Sequence, residues 1–210
     1  MRWQQDLTQD IRTFTDYDNT DFLYGRDSRI PWPEGYSFPP KEEMSDENRN
    51  FIKERFERVK DRCAAILEIG VNNELLNGKS STYVFLENKL DSTIYLGIDQ
   101  IDKSYLDNPS KNIFTLQVDS TRYSENVRLI REMGITKFDF IFIDGNHSIN
   151  NVLADWEYTE LLDDNGIVGF HDVSQHPGPY HFVKYLDRNK WVVEENLCPY
   201  DNGIAFVWKK

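Results

Sequence analysis

The rhythm of hydrophobic positions changes near residue 64 of the chain. Beyond it, five short apolar runs fall at residues 64–69, 93–98, 113–118, 138–143 and 167–170. They are rich in Ile, Val, Phe and Tyr, and most end in an acidic residue or Gly. Runs that are apolar at successive positions predict central parallel strands covered by helices on both faces. The stretches between them predict helices over 80–90, 123–133 and 149–162, with a last helix over 180–188 and two more strands at 191–194 and 204–208. Strand alternating with helix predicts an α/β fold with a doubly wound parallel sheet. Such sheets bind ligands outside the carboxyl ends of their strands, so the polar residues just after each strand are the first candidates for function.

The first 60 residues read differently. Residues 1–29 have weak periodicity and room for a short helix. Four of the eight prolines fall in residues 30–40, which predicts a loop that Trp32 and Tyr36 can pin. Residues 45–62 predict a helix, capped by Ser45 and carrying Phe51, Ile52, Phe56 and Val59 as its apolar stripe.

Composition narrows the function. The chain has 210 residues, 39% hydrophobic and 14% aromatic, which suits one folded domain and excludes a disordered one. Its 36 acidic and 24 basic side chains leave a net charge of −12. That argues against a broad electrostatic grip on nucleic acid or an anionic membrane, but it leaves room for a small-molecule site. No apolar run approaches a membrane span, and no signal-peptide core opens the chain. Cys63 and Cys198 make neither a disulfide framework nor a four-ligand zinc site, so a reducing, cytoplasmic setting is expected.

The strand ends carry the chemistry. The first run ends Leu67-Glu68-Ile69-Gly70-Val71, where Gly70 either lets backbone approach a ligand or makes a tight turn. The second ends at Asp99, about one βαβ unit later, where a carboxylate can take hydrogen bonds from both ribose hydroxyls of a nucleoside. The third ends at Asp119-Ser120, which either meet an adenine amino group or cap the following helix. The fourth delivers Asp144-Gly145-Asn146-His147, and the fifth delivers His171-Asp172. Neighbouring strands four and five would bring Asp144, His147, His171 and Asp172 together. Two carboxylates and an imidazole can hold a divalent cation, and a remaining His can act as a general base near neutral pH. Residues 176–181, from His176 through Pro177, Gly178 and Pro179, read as a loop beside this site, with no role assigned to His176 or His181.

Leu67 to Val71, Asp99, Phe138 to His147 and Gly166 to Val173 together resemble the class I S-adenosylmethionine-dependent methyltransferases, and within them the metal-dependent sugar O-methyltransferase branch, which includes macrolide-sugar enzymes. The resemblance covers residues 62–210 and makes residues 1–61 an N-terminal lid or helical extension. It implies a Rossmann-like seven-stranded sheet with an antiparallel last strand. By position, Glu68, Gly70, Asp99, Asp119 and Ser120 would surround the cofactor, as would Gly78 and Ser80 in a Gly-Lys-Ser-Ser-Thr turn displaced by residues 72–77. Asp144, His171 and Asp172 would bind Mg²⁺ or Mn²⁺, with His147 as the base. Relatives often carry a carboxylate where His171 stands, and imidazole suits Mn²⁺ or a softer metal better than Mg²⁺. The implied partner is a small-molecule or glycan acceptor, with no nucleic acid and no membrane; a homo-oligomer is compatible with the aromatic N-terminal segment.

Two other readings remain open on sequence. Asn73 to Ser80 matches a phosphate-binding loop except that Asn73 replaces its first Gly, which suggests a kinase or NTPase. A methyltransferase-like scaffold without catalysis is the other.

Overall fold

Seven strands form one sheet: β1 (Ala65–Ile69), β2 (Ile94–Asp99), β3 (Ile113–Gln117), β4 (Phe138–Ile143), β5 (Leu162–His171), β6 (Trp191–Asn196) and β7 (Ile204–Lys209). Their order is β3-β2-β1-β4-β5-β7-β6. The first five strands pair in parallel, and β7 runs antiparallel to both β5 and β6. This is the Rossmann-like methyltransferase arrangement, with the antiparallel last strand that the resemblance implied. The computed structural model describes residues 1–14, 44–71, 80–174, 176–197 and 201–210. The proline-rich stretch with Trp32 and Tyr36, Gly78, Cys198 and the insert at 72–77 lie outside those residues, as does most of the phosphate-loop match.

The helices among the described residues are α1 (Trp3–Asp6), α2 (Asp46–Glu57), α3 (Ser81–Asn88), α4 (Tyr123–Glu132), α5 (Ile149–Trp156) and α6 (Pro177–Tyr185). Ser45 Oγ accepts a hydrogen bond from the Asn48 amide at 3.1 Å and so caps α2 as expected. Two expected helices are shorter than their apolar pattern. The one over 45–62 stops at Glu57 and resumes as a tight turn at Lys60–Arg62; the one over 149–162 gives way at Glu157–Leu161 to the same kind of turn. The loop expected over 176–181 is instead the start of α6. Pro177 and Pro179 sit in its first turn, where a missing amide hydrogen costs nothing.

Alternation along the strands splits the core into two layers. Leu67, Ile69, Ile141 and Ile143 face Trp156 and Phe182 on one side. Ile66, Phe140 and Phe142 face Phe56, Phe85 and Phe206 on the other. Every residue of β4 is buried, Asp139 included, so it is the central strand that its largely apolar run predicts. The N-terminal segment closes one edge. Asp6 accepts hydrogen bonds from the indole nitrogens of Trp156 and Trp191 at 3.0 and 3.1 Å, and Leu7 bridges to Leu186. Trp3 is buried in the same layer. Among the described residues, no helix is long and apolar enough to cross a membrane.

Candidate active site

Strand order reverses between β1 and β4, and a cavity of about 510 Å³ opens there at the carboxyl ends of the strands. Its walls include Gly70, Asp99, Ser120, Asp144, His147, His171 and Asp172. The two central strands interlock at their ends. The Asp144 amide donates to Ile69 O at 2.8 Å, and Gly70 turns away at φ +84°. A Cβ on Gly70 would lie 2.0 Å from the Asp144 carbonyl oxygen, so both the positive φ and the close approach require glycine.

One wall is acidic and braced by backbone. The Asp99 carboxylate accepts from the Val71 amide at 3.0 Å and the Ile101 amide at 2.7 Å, and Lys103 Nζ lies 3.7 Å from it. Ser120 stands at the third strand's end on the same side.

The other wall is the His and Asp cluster. His171 Nδ1 lies 3.1 Å from Asp144 Oδ1 and 3.3 Å from Asp172 Oδ2. Asp172 Oδ2 lies 2.5 Å from His147 Nε2. Asp172 adopts the left-handed region at φ +62°, uncommon for a residue with a side chain, and this turns the chain out of β5 at the cluster. Burial disfavours charge throughout, but pairing decides most of the outcomes. Burial pushes the Asp172 carboxyl up, yet His171 and His147 together hold it well below the usual carboxylate range. Burial likewise pulls the His171 and His147 imidazoles down, and the facing carboxylates more than reverse this, leaving both raised. Burial dominates at Asp144, whose carboxyl is raised.

The donor set fits a divalent cation. One donor atom each from Asp144, His171 and Asp172 lies within 4.8 Å of the others. Adjacent ligands of an octahedral ion with ~2.1 Å bonds sit about 3.0 Å apart, close to the two His171 separations. His171 turns Nδ1 to both carboxylates, and its other ring nitrogen, Nε2, is buried with no hydrogen-bond partner among the described residues.

Several other candidates lie off this cavity. The Glu68 side chain points to the opposite face of the sheet. It is fully buried, accepts from Thr82 Oγ1 at 2.8 Å, and is also bonded by Ser81 and Tyr95. Burial raises its carboxyl to about 7 against those hydroxyl bonds. Ser80 is buried and caps α3 through the Tyr83 amide. Asp119 lines a neighbouring hollow over β3 and α4, where its carboxylate accepts from the amide and hydroxyl of Thr121 at 2.9 and 2.7 Å. Those bonds lower its pKa. The cavity also gains residues that sequence reasoning left aside: His176 and Asn202 line it. Burial, with His147 beside it, pushes the His176 imidazole down to about 4.

No protein-family model and no curated protein matches this sequence. Solved structures with the same fold do. The MycE methyltransferase from the mycinamycin biosynthetic pathway, solved with Mg, SAH and mycinamycin VI, aligns at a TM-score of 0.56 and 19% identity, over 76% of this chain and 48% of that one. The chain thus spans about half the length of that structure. The O-methyltransferase from Bacillus cereus, solved with SAH, aligns at 0.56 and 16% identity over 96% of this chain and 100% of that one. CalS11, a TDP-rhamnose 3'-O-methyltransferase of calicheamicin biosynthesis, aligns at 0.56 and 15% identity over 95% and 99%. At these identities the likeness establishes the methyltransferase fold.

Proposed function

We propose that the chain is an S-adenosylmethionine-dependent O-methyltransferase that uses a divalent cation to methylate a hydroxyl of a sugar or glycan. The observation that carries this reading is the meeting of Asp144, His147, His171 and Asp172 in one cavity with Asp99, at the switch point of this sheet. The fold neighbours add support: MycE was solved with Mg and SAH, and CalS11 is a sugar O-methyltransferase.

Each wall has its task. Asp99 and Ser120 take the nucleoside end of the cofactor, and Gly70 leaves room for its approach. Asp144, His171 and Asp172 would hold Mg²⁺ or Mn²⁺, which would make the acceptor hydroxyl more acidic. Asp172 holds the ring proton of His147 at Nε2, so Nδ1 is the nitrogen that takes the acceptor's proton. The new bond joins the acceptor oxygen to the methyl carbon. The carbon–sulfur bond breaks, its electron pair stays on sulfur, and S-adenosylhomocysteine leaves. Alignment of donor and acceptor in the cavity supplies much of the acceleration.

Asp144→Ala tests the reading. It is expected to abolish turnover and metal stimulation while S-adenosylhomocysteine still binds. Full activity of Asp144→Ala in the presence of chelator would overturn the mechanism.

A further inference from the structure

A second group of ligand-bearing side chains shares Asp172. One donor atom each from His147, Asp172 and His176 lies within 4.8 Å of the others. His147 Nε2 is 2.5 Å and His176 Nε2 is 3.9 Å from Asp172 oxygens. The two imidazole rings stack with centroids 4.2 Å apart. We infer that His147, Asp172 and His176 form a second divalent-cation site, of transition-metal class, joined to the first through the carboxylate of Asp172.

The backbone builds this triad. The His176 amide donates to the Asp172 carbonyl at 3.4 Å, so the chain folds back and sets the His176 ring over the carboxylate. The Gly178 amide donates to the His147 carbonyl at 2.9 Å, fastening the start of α6 against the turn that carries His147. A Cβ on Gly178 would lie 2.5 Å from His147 O and 2.6 Å from Ser148 O. Only glycine permits that contact, and the contact fixes one imidazole against the other.

Ligand chemistry separates the two sites. Asp144, His171 and Asp172 offer two carboxylates and one imidazole, a set that accommodates harder ions. His147, Asp172 and His176 offer two imidazoles and one carboxylate. Imidazole nitrogen favours Zn²⁺, Co²⁺ and Ni²⁺, whereas Mg²⁺ prefers oxygen. Three protein ligands leave a position open to water or a further donor. An imidazole that gives Nε2 to a cation keeps its proton on Nδ1. On the methyl-transfer reading, which this consequence alone rests on, occupation of the second site silences His147 as a base.

Co²⁺ titration of the full chain, followed by calorimetry and visible absorption, tests the site. The wild-type protein is expected to bind two equivalents. Asp144→Asn removes one carboxylate of the first triad and should retain one equivalent with a nitrogen-ligand spectrum. His176→Phe keeps the stacked ring without its donor nitrogen and should weaken the second equivalent more than about 100-fold. Binding that His176→Phe leaves undiminished, whether the wild-type protein takes one equivalent or two, would overturn the second site. The titration needs no methyl donor or acceptor, so a failure of methyl transfer leaves it readable.

Discussion

His147 Nε2 and Asp172 Oδ2 lie 2.5 Å apart, joining a loop that follows β4 to the end of β5. Asp172 belongs to both groups of side chains proposed to hold a cation, so it is the residue whose loss reaches furthest. Asp172→Asn keeps the shape and removes the charge. Cation affinity is expected to fall about 100-fold or more, while S-adenosylhomocysteine affinity changes only a few-fold. Calorimetry with each ligand separately checks this. An equal loss of both would point to collapse of the whole cavity.

Gly70→Ala tests the interlock of β1 and β4. The new Cβ meets the Asp144 backbone, which cannot move without disturbing the site, and a non-glycine residue is strained at this φ. A stability loss of about 3 kcal/mol is expected, read from the denaturant midpoint. A variant of wild-type stability would mean that the two strand ends are looser than described.

Asp155 provides a pH test away from the proposed metal ligands. It is fully buried on α5, and among the described residues neither carboxylate oxygen has a hydrogen-bond partner. Burial raises its pKa from 3.8 to about 7, partly opposed by the nearby Ser120 hydroxyl and reinforced by Asp119. The unfolded chain ionises this group near pH 4, while the folded chain keeps its proton to about 7. Between those values the folded state binds more protons, so stability falls as pH rises and levels off above 7. The total is at most about 4 kcal/mol. Asp155→Asn should therefore be more stable than wild type at pH 8 and gain nothing at pH 4, in thermal melts at the two pH values. A gain that is equal at both would remove ionisation as its cause.

The sheet was largely legible from the chain. Every residue from Phe138 to Ile143 is apolar or buried, and β4 occupies those six positions. The meeting of Asp144 with His171 and Asp172 followed from neighbouring strand ends. Glu68 was less legible. It stands near the end of β1, but alternation turns it to the face opposite Leu67 and Ile69, where α3 meets it with Ser81 and Thr82. His176 was hidden for a different reason. Its place depends on the left-handed turn at Asp172 and the close packing of Gly178, neither of which has a pattern in the sequence. Asp155 lies in an amphipathic helix, where a carboxylate reads as solvated surface; burial beneath Gly145 is a tertiary fact.

Asp6→Ala tests the docking of the N-terminal segment. It leaves two buried indole N–H groups without their acceptor, a cost of about 2–4 kcal/mol. Tryptophan emission is expected to shift to the red as Trp156 and Trp191 gain access to water. Unchanged emission and an unchanged melting temperature would show that the segment contributes little to the edge it covers.

The most direct test of the proposed activity is transfer of a labelled methyl group from S-adenosylmethionine to a panel of sugar nucleotides and glycosides, with Mg²⁺ or Mn²⁺ and with chelator. Labelled product that forms with the cation, fails with chelator and fails in Asp144→Ala is the predicted result. No transfer to any acceptor, together with no calorimetric binding of S-adenosylhomocysteine with or without Mn²⁺, would contradict it.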